Sequence, residues 1–104
     1  MYYIYILRCK DNSLYTGITT EPERRLREHI TKKRGARYTG AHGAVFFEAL
    51  WQAESRSAAL CGEAAIKKMK KEKKEELIQN PFLFTEIMKN KGLIVRGEDN
   101  VKEK

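Results

Sequence analysis

Tyr2-Tyr3-Ile4-Tyr5-Ile6-Leu7-Arg8-Cys9, then Leu14-Tyr15-Thr16-Gly17-Ile18-Thr19, then Pro22-Glu23-Arg24-Arg25-Leu26-Arg27-Glu28-His29: these three runs decide the fold. The first alternates Tyr3, Tyr5 and Leu7 on one face with Ile4 and Ile6 on the other. A strand apolar on both faces is expected at the centre of a sheet. Lys10-Asp11-Asn12-Ser13 reads as a turn, because Asp and Asn tolerate positive φ and bond their own backbone. The second run is then the return strand of a hairpin. Gly17, on the same strand face as Tyr15, is expected to leave open space beside the phenol. Thr20 is expected to cap the following helix, with Glu23 completing a capping box and Pro22 in the first turn. That helix is expected to run to about Lys33.

Residues 35–43 form a glycine-punctuated basic stretch that reads as a loop, with His42 as a surface residue. Ala44 to Gln52 reads as a third strand, Val45, Phe47, Ala49 and Trp51 facing one way and Phe46, Glu48 and Leu50 the other. Ser55 caps a second helix, which begins at Arg56 and is expected to continue to Gln79. Its first half is alanine-rich and its second half mostly Lys and Glu. Asn80-Pro81 ends that pattern. Phe82, Leu83, Phe84, Ile87 and Met88 suit a short docking helix, and beyond Lys91 a frayed tail is expected. There are no internal repeats.

The chain has 104 residues, enough for one core but not two. Its net charge of +7 makes an anionic partner the default expectation. Nucleic acid and an anionic membrane both fit that sign, but no apolar run approaches the roughly 20 residues that span a bilayer. No basic region precedes an apolar stretch at the N-terminus, so no signal peptide is expected. Cys9 and Cys61 lack metal-ligand spacing and read as small buried residues in a reducing compartment, without a disulfide. These features describe a basic, cytoplasmic, single-domain protein.

The candidate chemistry lies in five residues. Tyr5 and Tyr15 are ordinary strand residues by propensity, but they bring two phenols to adjacent strands. Arg25 and His29 lie four apart and share a helix face at the margin of the Leu26–Ile30 stripe. Taken alone they read as part of a solvated basic helix; together with the phenols they suit phosphodiester chemistry, which needs groups to handle a nucleophile's proton and a fixed cation for a phosphate. At about 100° per residue, Glu63 lies roughly 40° from the line through Ala59 and Leu77, on or beside a buried stripe. A carboxylate there is either one partner of a boundary salt bridge, to Arg25 or Lys67, or a ligand for a hard cation such as Mg²⁺. Lys67, Lys70, Lys71 and Lys74 read as a solvated helix face. With Lys32, Lys33, Arg34 and Arg37 they also suit non-specific contact with a phosphate backbone, and both readings can hold together.

From Met1 to about Asn80 the chain resembles a GIY-YIG nuclease domain. Tyr3-Ile4-Tyr5 stands at the first triplet and Tyr15-Thr16-Gly17 at the second, with Tyr3 in place of glycine and Thr16 in place of isoleucine. Arg25 falls at the family's catalytic arginine, His29 at a position often His or Tyr, and Glu63 at its metal-binding glutamate. The nearer likeness is to small bacterial single-domain proteins similar to the nuclease domain of a bacterial excinuclease. The resemblance implies an α/β (α+β) fold of β-β-α-β-α order, with a three-stranded antiparallel sheet flanked by helices. It implies a nuclease domain over residues 1–80, followed by an extension over 81–104. It further implies Tyr5, Tyr15, Arg25 and His29 as catalytic residues, with one Mg²⁺ or Mn²⁺ on Glu63. Tyr5, assisted by Tyr15, would accept the proton of an attacking water or align that water; as a base it requires the metal or Arg25 to depress its pKa from near 10. The expected function is a metal-dependent endonuclease acting on DNA, including structured or damaged forms, with a protein partner choosing the target. RNA stays open as a substrate. The alternatives are a nucleic-acid-binding module with weak or partner-dependent cleavage, and an adaptor on the same fold.

Overall fold

The computed structural model describes residues 1–31 and 44–98, with the side chains of residues 29–31, 44 and 45 outside that description. Strands β1 (Tyr2–Cys9) and β2 (Leu14–Thr19) form the antiparallel hairpin, in register from Tyr3 opposite Thr19 to Arg8 opposite Leu14. At the turn Asn12 adopts φ 71°, and the Asp11 carboxylate accepts from the Ser13 backbone N–H at 3.0 Å. β3 (Ala44–Ala53) pairs antiparallel with the other edge of β1. β1 is therefore central, as its two-faced apolar pattern requires.

The sheet has four strands, not three. β4 (Val95–Gly97) pairs antiparallel with Trp51–Ala53 of β3, giving the order β2-β1-β3-β4. This segment lies within the stretch expected to fray. Three residues are too few to show an alternating pattern, but Val95 is fully buried and anchors the strand.

Helix α1 (Pro22–Thr31) contributes Leu26 to a small cluster of Tyr5, Leu7 and Phe47 on one sheet face. At its start the hydroxyl that accepts a backbone donor belongs to Thr19 rather than Thr20, from Glu21 N–H at 3.0 Å. Helices α2 (Arg56–Lys67), α3 (Lys71–Gln79) and α4 (Phe82–Asn90) supply the larger core on the other face. There Ile4, Ile6, Ala49 and Trp51 meet Ala58, Ala59, Ile66, Leu77, Phe84 and Met88. Ser55 caps α2 as expected, accepting from Ala58 N–H at 3.1 Å. Cys61, expected inside, is exposed on α2, while Cys9 is buried; both are free thiols.

Two local departures shape the site. Ile6 pairs with Ala49 but Leu7 pairs with Phe47, so Glu48 is an extra residue in β3. Such a bulge reverses the alternation beyond it, and Phe47 joins Tyr5 rather than Ala49 and Trp51. The expected single helix from Arg56 to Gln79 is broken at residues 68–70, where Lys70 is extended (φ −74°, ψ 161°). The break lets Leu77 and Ile78 fold into the same core as Ile66. The favourable lysine and glutamate propensities are overridden by that burial.

Candidate active site

Four elements converge near the β2 edge of the sheet. Tyr5 of β1 stands opposite Gly17 of β2, and its ring lies over the glycine. A Cβ at residue 17 would run into the phenol hydroxyl and stand 2.7 Å from Cζ. The space expected to be open beside Tyr15 is thus filled by the ring of Tyr5. That ring packs 5.1 Å from Phe47 and 6.3 Å from Tyr15, centroid to centroid.

From α1, Arg25 Nε donates to the Tyr5 hydroxyl at 3.3 Å, and its Nη1 donates to Glu28 Oε1 at 3.1 Å. Burial alone would lower the pKa of this guanidinium, but Tyr5 and Glu28 outweigh it and the net direction is up. Arg25 is therefore a fixed cation held at two points. Glu28 was not singled out in the sequence, although its i+3 spacing from Arg25 was a readable signal.

Burial raises the Tyr5 phenol to about 12. Arg25 pulls in the opposite direction and does not win. Arg25 alone does not give the depressed pKa that a basic Tyr5 would need. The negative charge of Glu63 adds a weaker push in the same direction as burial. Glu63 on α2 is thus electrostatically coupled to Tyr5.

The Glu63 carboxylate is half-buried, with 20% of its side chain exposed. Its ion pair among the described residues is the boundary bridge to Lys67, at 3.3 Å, and not one to Arg25. The Lys67 side chain is 53% exposed, and a pair of that kind contributes little and is readily exchanged. No group of three His, Cys, Asp or Glu side chains assembles among the described residues. A hard divalent cation with one carboxylate, waters and substrate phosphate fits this donor set; a structural all-protein cage does not.

His29 lies on α1, with its side chain outside the described region. Lys32, Lys33, Arg34 and Arg37 lie outside the described residues altogether. Lys67, Lys70 and Lys71 are exposed around the α2–α3 break. Lys74 is partly buried, and burial followed by the charge of Lys67 lowers its pKa. A second cluster escaped sequence reading. Arg8 bonds Glu48 Oε2 at 2.7 Å through Nε and Glu75 through Nη1 and Nη2 at 2.6 and 2.7 Å. It ties the lysine-rich helix α3 to the hairpin and the bulge. No helix among the described residues is long and apolar enough to cross a membrane.

Comparison with known proteins matches residues 1–76 to the model of the GIY-YIG catalytic domain. A UPF0213 protein of Fusobacterium nucleatum is 43% identical over 89 residues, 86% of this chain and 88% of that one. Another, from Syntrophus aciditrophicus, is 48% identical over 80 residues, 76% of this chain and 92% of its own. The solution NMR structure of a UPF0213 protein from Bacillus halodurans superimposes with a TM-score of 0.50 at 39% identity, covering 82% of this chain and 94% of that one. With its two triplets on adjacent strands and Arg25 and Glu63 on flanking helices, this chain belongs to the GIY-YIG family, in its small UPF0213 group.

Proposed function

We propose that this protein is a metal-dependent endonuclease hydrolysing phosphodiester bonds in DNA. The observation that carries this reading is the Tyr5–Arg25 hydrogen bond set beside Tyr15 and within electrostatic reach of Glu63. A binding module has no need of a half-buried carboxylate coupled to a buried phenol. The nuclease activity associated with the family, and a divalent ion as its usual cofactor, agree with this geometry.

Glu63 would hold a Mg²⁺ or Mn²⁺ ion, which would supply charge neutralisation at the phosphate. Arg25, held by Tyr5 and Glu28, places its guanidinium where the in-flight phosphate gathers negative charge. Tyr5 keeps its proton and aligns the attacking water, with Tyr15 beside it. The water oxygen forms a bond to phosphorus as the opposite ester P–O bond breaks. His29, one helical turn after Arg25 on α1, takes the water's proton as general base. The leaving oxygen regains a proton from solvent. Lys67, Lys70, Lys71 and Lys74, with Lys32, Lys33, Arg34 and Arg37, hold the flanking phosphates. A cytoplasmic location and a protein partner for target choice belong to the same reading.

The test is cleavage of labelled duplex, single-stranded, flapped and four-way DNA with Mg²⁺ or Mn²⁺. Glu63→Ala and Arg25→Ala are expected to abolish cleavage while folding normally. Cleavage that survives in both variants would mean a contaminant and remove the assignment. Binding without any metal-dependent cleavage by the wild type would replace it with the binding-module reading. Tyr5→Phe is expected to lower the rate while leaving the shape of the pH profile unchanged. A profile displaced by that substitution would return the base role to the phenol.

A further inference from the structure

The sheet face that carries Tyr5 continues into a cleft of about 490 Å³ that the mechanism above does not use. Tyr3 and Leu50 line it from the sheet, and Arg24 and Arg27 from α1. Leu50 stands opposite Tyr5 in the β1–β3 ladder and packs against it, so the cleft adjoins the site directly. Tyr3 lies two residues from Tyr5 on the same face, roughly 7 Å along the strand. Among the described residues, neither the Tyr3 nor the Arg27 side chain makes a hydrogen bond, ion pair or ring contact.

The charge at this cleft differs from that of the molecule. Glu21, Glu23 and Glu98 line it along with the two arginines. Arg24 is already within 3.6 Å of Glu21 and 3.7 Å of Glu28. Three carboxylates against two guanidiniums disfavour a phosphate here, on a protein whose net charge is otherwise +7. The backbone of Glu98 is tied to the sheet, its N–H donating to Leu50 O at 2.8 Å. An aromatic ring, an apolar neighbour and carboxylate acceptors suit a planar group that carries N–H donors. A nucleobase has that chemistry: the ring gives it a stacking surface, and the amino groups of adenine and cytosine donate to carboxylates.

We propose that this cleft is a base-binding subsite that takes one unstacked nucleobase, stacked on Tyr3 and contacted along its amino edge by Glu23 or Glu98. Resting on the endonuclease reading, that base belongs to the nucleotide next to the phosphate held by Arg25. A paired base inside a duplex hides both faces and its pairing edge, so the substrate is single-stranded, looped or branched at this position.

Binding of a labelled ten-nucleotide oligo-dA, an oligo-dT of equal length and a duplex is measured by fluorescence anisotropy without metal. Tyr3→Ala is expected to weaken oligo-dA binding about tenfold, Tyr3→Phe to keep it, and duplex binding to be unchanged in both. Oligo-dT, lacking an amino group, is expected to bind the wild type more weakly than oligo-dA. On the wild type, the ring protons of Tyr3 are expected to shift upfield when oligo-dA is added. No upfield shift, no loss in Tyr3→Ala, or an equal loss on duplex and single strand overturns the subsite. Cleavage with Mg²⁺ is scored on the same preparations. Tyr3-dependent binding without cleavage keeps the subsite and removes the nuclease; cleavage with Tyr3-independent binding does the reverse.

Discussion

Tyr5 is buried to 1% exposure yet keeps its hydroxyl within reach of Arg25, and its two roles are coupled. Its folded pKa of about 12 lies above the ordinary 10. The folded state therefore holds the phenol proton more tightly than the unfolded chain does. That contribution is fully present below pH 10 and is lost as pH rises from 10 through 12, about 3 kcal/mol in all. Melting temperature followed between pH 9 and 12 is expected to fall for the wild type and to fall less for Tyr5→Phe. Gly17 exists to admit this ring. Gly17→Ala is expected to destabilise by about 1–3 kcal/mol through overpacking, because the added methyl meets the phenol. Urea denaturation checks the loss, and an unchanged midpoint would show that the ring moves freely. The identity of Tyr5, Arg25 and Glu63 as site candidates was legible from residue type and spacing. The direction of the Tyr5 pKa was not, since burial and the Arg25 contact are sums over neighbours distant in sequence.

Between elements, Arg8 works as a staple. It sits where β1 meets the β3 bulge and holds α3 through a two-point bond to Glu75. The hydrogen bonds from Arg8 hold the Glu75 carboxyl below its usual range. The stability this supplies is present above the ordinary carboxylate pKa and is lost as pH falls through the depressed one. Glu75→Gln is expected to lower the melting temperature by several degrees at pH 7 and by less in acid, once the pH has fallen through that depressed value. An equal deficit in acid would mean that packing, not charge, fastens the helix. Hairpin, turn, α1 and the Ser55 cap were all readable as local patterns. The bulge at Glu48 and the break at residues 68–70 were not. The first moves Phe47 to the Tyr5 face and the second folds Leu77 and Ile78 back onto the core that holds Ile66, and no local preference encodes either.

For the whole molecule, the C-terminal stretch is where the larger core closes. Phe84, Met88 and Val95 are fully buried there, and Trp51 Nε1 donates to Pro81 O at 3.1 Å. A chain ending at residue 80 is expected to lose its cooperative melt, with the emission of Trp51 shifted to the red. A sharp melt from that truncation would show that the first 80 residues close a core unaided. DNA binding is expected to weaken steeply with salt, since phosphates are met by a net charge of +7. Glu63→Gln is expected to leave that salt dependence unchanged, because its role is in hydrolysis and not in attraction; titrations from about 50 to 200 mM salt check both. By itself, the sequence determined the hairpin, the starts of α1, α2 and α4, and the family, because each is written in local periodicity, capping residues or spaced motifs. Only the tertiary structure decided the fourth strand, the broken helix, the reversed face of Phe47, the protonated Tyr5 and the cleft at Tyr3. Each of those depends on burial against residues far away in the chain.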